Sequence, residues 1–472
     1  MPDFFSIIGL PEVEQIHNAA LATLDGVGVK VESTELLELL DDYGGRADVD
    51  AQRIRFSPNW VEQFIAESDK YDWERHVPRL DCFAGIYQSL YLDPETGELE
   101  PFTERTLADY IRLGNALEEV GSVGLLGLPF TPEAMAPSYA PLAEKLYAWK
   151  YGAAPDGTVQ LTGLCPYLEE MFVRWAEEVN RPLQDVFSAT GYLVSPLRLP
   201  RSECEQLLYF KSRGLRMGIG HMLSLGGSTP ITIAGAAVMK LAETLFLSIL
   251  QRALWGGTRL AIGGFGVVMD MLGARSMGGR PEAAMVAAVM SRVARHYRVR
   301  SHGTGPLTDA KEPSIQAGMQ KAMLALYGVC SCGGASIDVG LLSLDEISSP
   351  EQMVYDVELA SAVRHMLLPM DVSSEACAVE EIAAVGPGGN FIGTDLTAKR
   401  FRQDQWQPRI WDRDSLHEWV GKGRVGERDR ARERIRGVLS APQPTPSMSE
   451  ECERDLRAII SHAMDAGAAE RS

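Results

Sequence analysis

From about residue 116 onward, short β-branched or small apolar runs alternate with helical patterns, and each run ends in a Gly, Pro or polar cluster. The runs fall near 123–128, 159–162, 186–190, 216–220, 259–263, 298–302, 329–333 and 382–385. Strands that alternate with helices need right-handed crossovers and lie parallel, and eight such units are the number that closes on itself. The predicted class is therefore α/β: a (β/α)8 TIM barrel over 116–400. A mostly helical N-terminal extension covers 1–115, and a C-terminal helical extension and tail covers 401–472. The competing open, doubly wound sheet lacks its signature, because no Gly-x-Gly-x-x-Gly turn opens a helix after the first strand.

The flanks read more simply. Leu10 to His17 opens a helix, and Gly28-Val-Lys-Val31 has the pattern of a strand. After Phe401 the chain turns polar and aromatic, then strongly charged from Gly423 to Arg434, as in a solvated helix laced with ion pairs. Ala441-Pro-Gln-Pro-Thr-Pro446 is a stiff linker before a last helix.

Composition narrows function. With 45% hydrophobic residues the chain can bury a large core, and a net charge of −19 argues against nucleic acid, whose binding leans on Lys and Arg. A cationic or neutral small ligand is the better match. Seven cysteines without a regular framework suit a reducing compartment, and the start Met1-Pro-Asp-Phe-Phe lacks the basic and apolar pattern of a signal peptide. The most apolar stretch, 231–254, carries Lys240, Glu243, Gln251 and Arg252, so it reads as a buried helix and not a membrane span. These features predict a cytoplasmic protein.

In a barrel, side chains just past each strand converge on one mouth. Here those positions offer Phe130, Tyr192, His221, Phe265, Asp270, His302, Asp309 and Lys311, an aromatic set with acidic members suited to an alkylammonium ion. Each has a structural alternative: aromatics pack under loops, histidines cap backbone groups, and Asp309 with Lys311 forms an ion pair that fixes a loop. Cys330-x-Cys332 lacks a third zinc ligand within reach, and Gly386-Pro-Gly-Gly389 reads as a tight turn before an anion nest.

One series of motifs is more specific. Gly226-Gly-Ser-Thr-Pro230 leading to Gly235, Ala242-Glu243, Met269-Asp270, Asp309-Ala-Lys311 with Gln316, Pro350-Glu-Gln352, Asp356-Val-Glu358, Val385 to Gly389, Phe401-Arg402 and Trp406-x-Pro408 resemble, in order and spacing, the trimethylamine methyltransferase family. Ile16-His17 and Val27-Gly28-Val29 extend the resemblance to nearly the whole length. It implies a barrel that moves a methyl group from a methylated amine to Co(I) of a separate small corrinoid protein, with no cofactor held tightly and no metal of its own. On that basis Asp309, Lys311 and His302 form the expected catalytic set. Phe130, Tyr192, His221, Phe265, Asp270, Gln316 and Gly334 are the expected substrate-binding set. A homo-oligomer is expected from base rates.

Members acting on trimethylamine carry pyrrolysine in the loop after the seventh strand, where this chain has the ordinary residues Gly340 to Glu346; Ser343, Leu344 and Asp345 all remain open for that place. A quaternary ammonium departs as a neutral amine and needs no prior activation, so glycine betaine or a related betaine is the implied substrate. Its carboxylate would need His221, His302, Arg275 or Lys311. The chain departs from the family at Leu396-Thr397 and at Met319-Gln320, which puts substrate choice and catalysis in question. Two other functions compete: a non-catalytic betaine binder, and a lyase or hydrolase with a metal near Asp270 or Asp309.

Overall fold

A computed structural model describes residues 7–303, 305–442 and 447–470, with the side chain of His302 outside the described set. Eight strands carry the centre: β1 (Arg79–Ile86), β2 (Ser122–Leu125), β3 (Ala154–Pro155), β4 (Thr190–Leu193), β5 (Gly218–His221), β6 (Ala261–Gly263), β7 (Arg300–His302) and β8 (Gly334–Asp338). One parallel sheet runs β8, β1, β2, β3 in space. β4 pairs with β5 and β6 with β7, again in parallel. A parallel bridge from Thr158 to Thr190 joins the segment after β3 to β4. Past β5 and β6, Ser224–Leu225 pairs in parallel with the start of Val267–Asp270. Among the described residues no ladder joins β5 itself to β6, or β7 to β8, so the architecture is mixed α/β with small sheets that are not closed.

Four expected strands are corrected: in place of 159–162 the strand is Ala154–Pro155, and Thr162–Leu164 forms a 3-10 turn before the helix Cys165–Glu178. The run at 329–333 is the last turn of the helix Ile315–Cys332, stopped by Gly333 in the left-handed region at φ 77°, and β8 begins one residue later. The run at 382–385 is likewise helical, within Val379–Val385. Residues 183–186 form a helical turn, so the strand expected at 186–190 starts at Thr190. Conversely β1, inside the segment read as a helical extension, pairs in parallel on both sides, with β8 and β2. Residues 79–83 alternate, with Leu80 and Cys82 buried, and the pattern then breaks because Ala84, Gly85 and Ile86 are all buried.

Helices cover the strands. The longest, Ile233–Trp255, is apolar enough in length and composition to cross a membrane, yet Leu241, Leu245, Phe246, Ile249 and Leu250 are fully buried in the protein core. The N-terminal segment covers the strand starts: the Trp73 indole donates to Val299 O at 3.0 Å, and His76 Nε2 lies 2.8 Å from Gly333 O. The charged helix Glu427–Ser440 lies against the helix Pro350–Met366, where Arg428 and Arg432 both reach Glu351. The last helix, Glu450–Asp465, buries Cys452, Leu456, Ile459, Ile460 and Ala463. Residues 443–446 of the expected linker lie outside the described residues.

The backbones after β7 and at the start of β8 touch without a ladder. A Cβ on Gly303 would fall 1.9 Å from the Gly334 carbonyl oxygen. Gly303→Ala is therefore expected to cost about 1–3 kcal/mol through overpacking, read as a lowered thermal midpoint. An unchanged midpoint would show that the two segments are not in contact.

Candidate functional site

The C-terminal ends of β8 and β1 bring two residues together. Asp338 is in register with Phe83, and the same face continues along β1 through Gly85 to Tyr87 two residues on. Gly85 is required there: an added Cβ would lie 2.7 Å from Asp338 Oδ1. The Gly85 N–H donates to Asp338 Oδ1 at 2.8 Å and the Tyr87 hydroxyl donates to Oδ2 at 3.2 Å. Burial raises the Asp338 carboxyl to about 6, against the pull of the Gly85 N–H and of Lys321. Burial, then Asp338, holds Tyr87 far above the usual phenol range, so it remains a proton donor.

Other strand ends add to this mouth. Tyr192 near the end of β4 is in register with Gly220, and its ring lies beside that glycine, where an added Cβ would sit at ordinary contact distance, 3.5 Å. Its hydroxyl pairs with Thr158 and is pushed up mainly by burial, then by Asp156. Asp345 lies in the loop after β8, half-buried, raised chiefly by burial, and both it and Tyr192 act electrostatically on Tyr87. Two tyrosines and three carboxylates thus surround the ends of β1, β3, β4 and β8. Such a mouth can hold a cation and offers few donors to an anion.

The loop after β8 is fixed from below and beside. Ser343 and Leu344 both have positive φ, at 50° and 67°, and their N–H groups donate to Ala310 O and Thr308 O in the loop after β7. Ser343 Oγ donates to Glu346 at 2.5 Å. Beneath it, Lys321 and Asp356, both fully buried, pair at 2.6 Å. Lys321 also donates to Asp338 O, and Gly340 N–H donates to Asp356.

The residues expected at the mouth divide. Tyr192 is there. His221 is not: it follows Gly220 on β5, and neighbouring strand residues point to opposite faces, so its ring meets the helix Ile233–Trp255. There its Nδ1 lies 2.7 Å from Glu243 and its Nε2 2.8 Å from Lys240 Nζ. Phe265 packs against Ala287, Ala288 and Cys332, and Phe130 meets Tyr147 edge to face at 5.1 Å. Asp270 anchors a hairpin, accepting from Gly273 N–H at 3.1 Å and lying 3.4 Å from Arg280. Asp309 is buried and accepts from Gly278 N–H, while Lys311 turns its ammonium to Asp309 O at 2.8 Å, so the expected ion pair does not form. Gln316 is exposed and reaches Gln320 at 3.4 Å. Gly334 opens β8 beside Arg79, at the end away from Asp338. The His302 side chain lies outside the described residues; its backbone pairs with Gly263. Among the described residues no group of three His, Cys, Asp or Glu is placed to hold a metal.

Tyr87 and Asp338 were missed because β1 was read as extension and the eighth unit was ended elsewhere, and Asp156 because the strand before it was expected at 159–162 instead of Ala154–Pro155. The available signal was the apolar run 82–86 followed by Tyr87, matched by the run 335–339 around Asp338.

The trimethylamine methyltransferase (MTTB) profile matches residues 184–468. The trimethylamine methyltransferase MttB of Desulfitobacterium hafniense is 26% identical over 98% of this chain and 95% of its own length. A glycine betaine methyltransferase from another strain of that organism is 23% identical over 97% and 96%. The monomethylamine methyltransferase MtmB of Methanosarcina barkeri superposes with a TM-score of 0.44 at 11% identity, over 92% of this chain and 94% of that one. With its matched profile spanning more than half of its length, the chain belongs to the trimethylamine methyltransferase family.

Proposed function

We propose that this protein is a methyltransferase that takes a methyl group from a quaternary amine, glycine betaine or a related betaine, and passes it to Co(I) carried by a separate corrinoid protein. The observation that carries the reading is the meeting of Tyr87, Tyr192 and Asp338 at the strand ends. The ammonium of a betaine rests there between phenol rings and the Asp338 carboxylate. Residues of this chain need only align the N–CH3 bond and keep water from it, because the nitrogen takes the bonding pair and leaves as a neutral amine. The nucleophile is supplied by the partner's cobalt.

In the same reading the eight strands form one (β/α)8 ring whose domain starts at β1. Its support is the chain order of the parallel pairs, the Ser224–Leu225 pairing beyond β5 and the contact of Gly303 with Gly334. Asp309 then serves as a positioning residue for the loops, and His302 stays in the proposed set for the betaine carboxylate. Free cysteines throughout the described chain support a cytoplasmic setting.

The test is a direct assay. The full chain is incubated with glycine betaine and chemically reduced cobalamin, and methylcobalamin and dimethylglycine are measured. Equimolar formation of both is expected. Saturable betaine binding with neither product would instead assign a binder.

A further inference from the structure

A second cavity, of about 800 Å³, lies where β5 and β6 splay apart, against the helix Ile233–Trp255. Its wall on the helix is a single stripe, Lys240, Thr244, Ser248 and Gln251, spaced by three or four residues. Across from it stand Arg216 and Arg259, which precede the two strands, with Arg252 at the helix end. Asp69 is the acidic residue in the lining, and it accepts from the Thr258 hydroxyl at 2.5 Å.

The cations of this wall outnumber its anions. Lys240 is 9% exposed, and its ammonium has one hydrogen-bond partner among the described residues, the uncharged acceptor position of His221 at 2.8 Å. Glu243 acts on Lys240 electrostatically from behind the wall, and its oxygens accept from Ser195 Oγ at 2.7 Å, Leu197 N–H at 2.8 Å and His221 Nδ1. Arg216 and Arg259 are exposed and form no ion pair with any described residue, while Arg252 donates to Phe64 O, Ser68 Oγ and Thr258 O and lies over the Phe64 ring, leaving its buried Nε without a partner. A charge removed from water costs free energy unless an opposite charge meets it, and in the cavity lining a single carboxylate, Asp69, faces the four cations Arg216, Lys240, Arg252 and Arg259.

We propose that this cavity binds a small, multiply charged oxyanion, a phosphate ester or a polycarboxylate, held by Arg216, Lys240, Arg252 and Arg259. The cavity and the cationic-ligand mouth meet along β5: His221 turns its ring to the cavity's helix, while Gly220 borders the cavity and is in register with Tyr192. The cavity's cations, Arg216, Lys240, Arg252 and Arg259, are not among the residues of the mouth, so the two sites select opposite charges.

Isothermal titration of the full chain with sodium pyrophosphate and, separately, with citrate tests this, at ionic strength matched with sodium chloride. One saturable site per chain is expected for at least one of the two, and which one binds assigns the phosphate or the carboxylate source. Arg216→Gln with Arg259→Gln removes two exposed cations without disturbing the core and weakens binding by at least about tenfold. Lys240→Met weakens it similarly. No saturable heat with either anion, or unchanged affinity in the arginine double variant, would overturn the proposal. Loss of this site leaves betaine binding at the mouth intact, so the two readings fail independently.

Discussion

Asp338→Asn is expected to weaken binding of a quaternary ammonium such as glycine betaine by roughly tenfold to a hundredfold, the effect of losing one charged partner in a partly dry site. The substitution keeps the size of the side chain and an oxygen for the Gly85 N–H, so the strand ends stay joined. What it removes is the negative charge between Tyr87 and the ligand. The charge also sets a pH dependence. Burial raises the Asp338 carboxyl from 3.8 to about 6, so the folded protein holds this proton more tightly than the unfolded chain. Its contribution to stability is present below about pH 4 and is lost as pH rises through about 6, where a buried carboxylate must form. A bound cation favours that carboxylate, so affinity rises between pH 5 and 7, and the ligand's thermal stabilisation grows over the same window. Titration calorimetry at pH 5, 6 and 7 measures it. A flat profile in the native protein, or one that persists in Asp338→Asn, would remove Asp338 from the site.

How much of this could be read from residues alone follows from what each strand buries. β5, β6 and β7 were placed within two residues, because each follows within a few residues of a long helical pattern that fixes where it can start. β8 was placed too early, because Val329, Cys330 and Cys332 have strand-like side chains but belong to a helix whose stop signal is Gly333. β1 was lost because its alternation is confined to 79–83 and its second half, Ala84 to Ile86, is continuously buried. The site inherits these errors. Tyr192 follows a recognised strand and was found, whereas Tyr87 and Asp338 meet only through the β1–β8 ladder, a contact between residues about 250 positions apart. His221 illustrates the complementary limit: it was correctly placed at the end of β5, but its face depends on a register that a sequence cannot supply.

Asp356→Ala is expected to produce the largest loss of stability, about 3–5 kcal/mol, because it strands a buried ammonium. Lys321 is fully buried, with its charge met by Asp356 at 2.6 Å, and two further bonds close the group: Gln352 to Asp356 and Gly340 N–H to Asp356, each at 2.8 Å. Replacing both partners, as Asp356→Leu with Lys321→Met, removes the uncompensated charge and is expected to recover a large part of the loss. Stability and site separate at this point. Lys321 also donates to the backbone oxygen of Asp338 at 3.2 Å, so the apolar pair restores folding without restoring the support under the β8 end. The double variant is thus expected to regain its thermal midpoint while betaine affinity stays reduced. Full recovery of both would show that the ion pair stabilises the core and has no hand in placing Asp338.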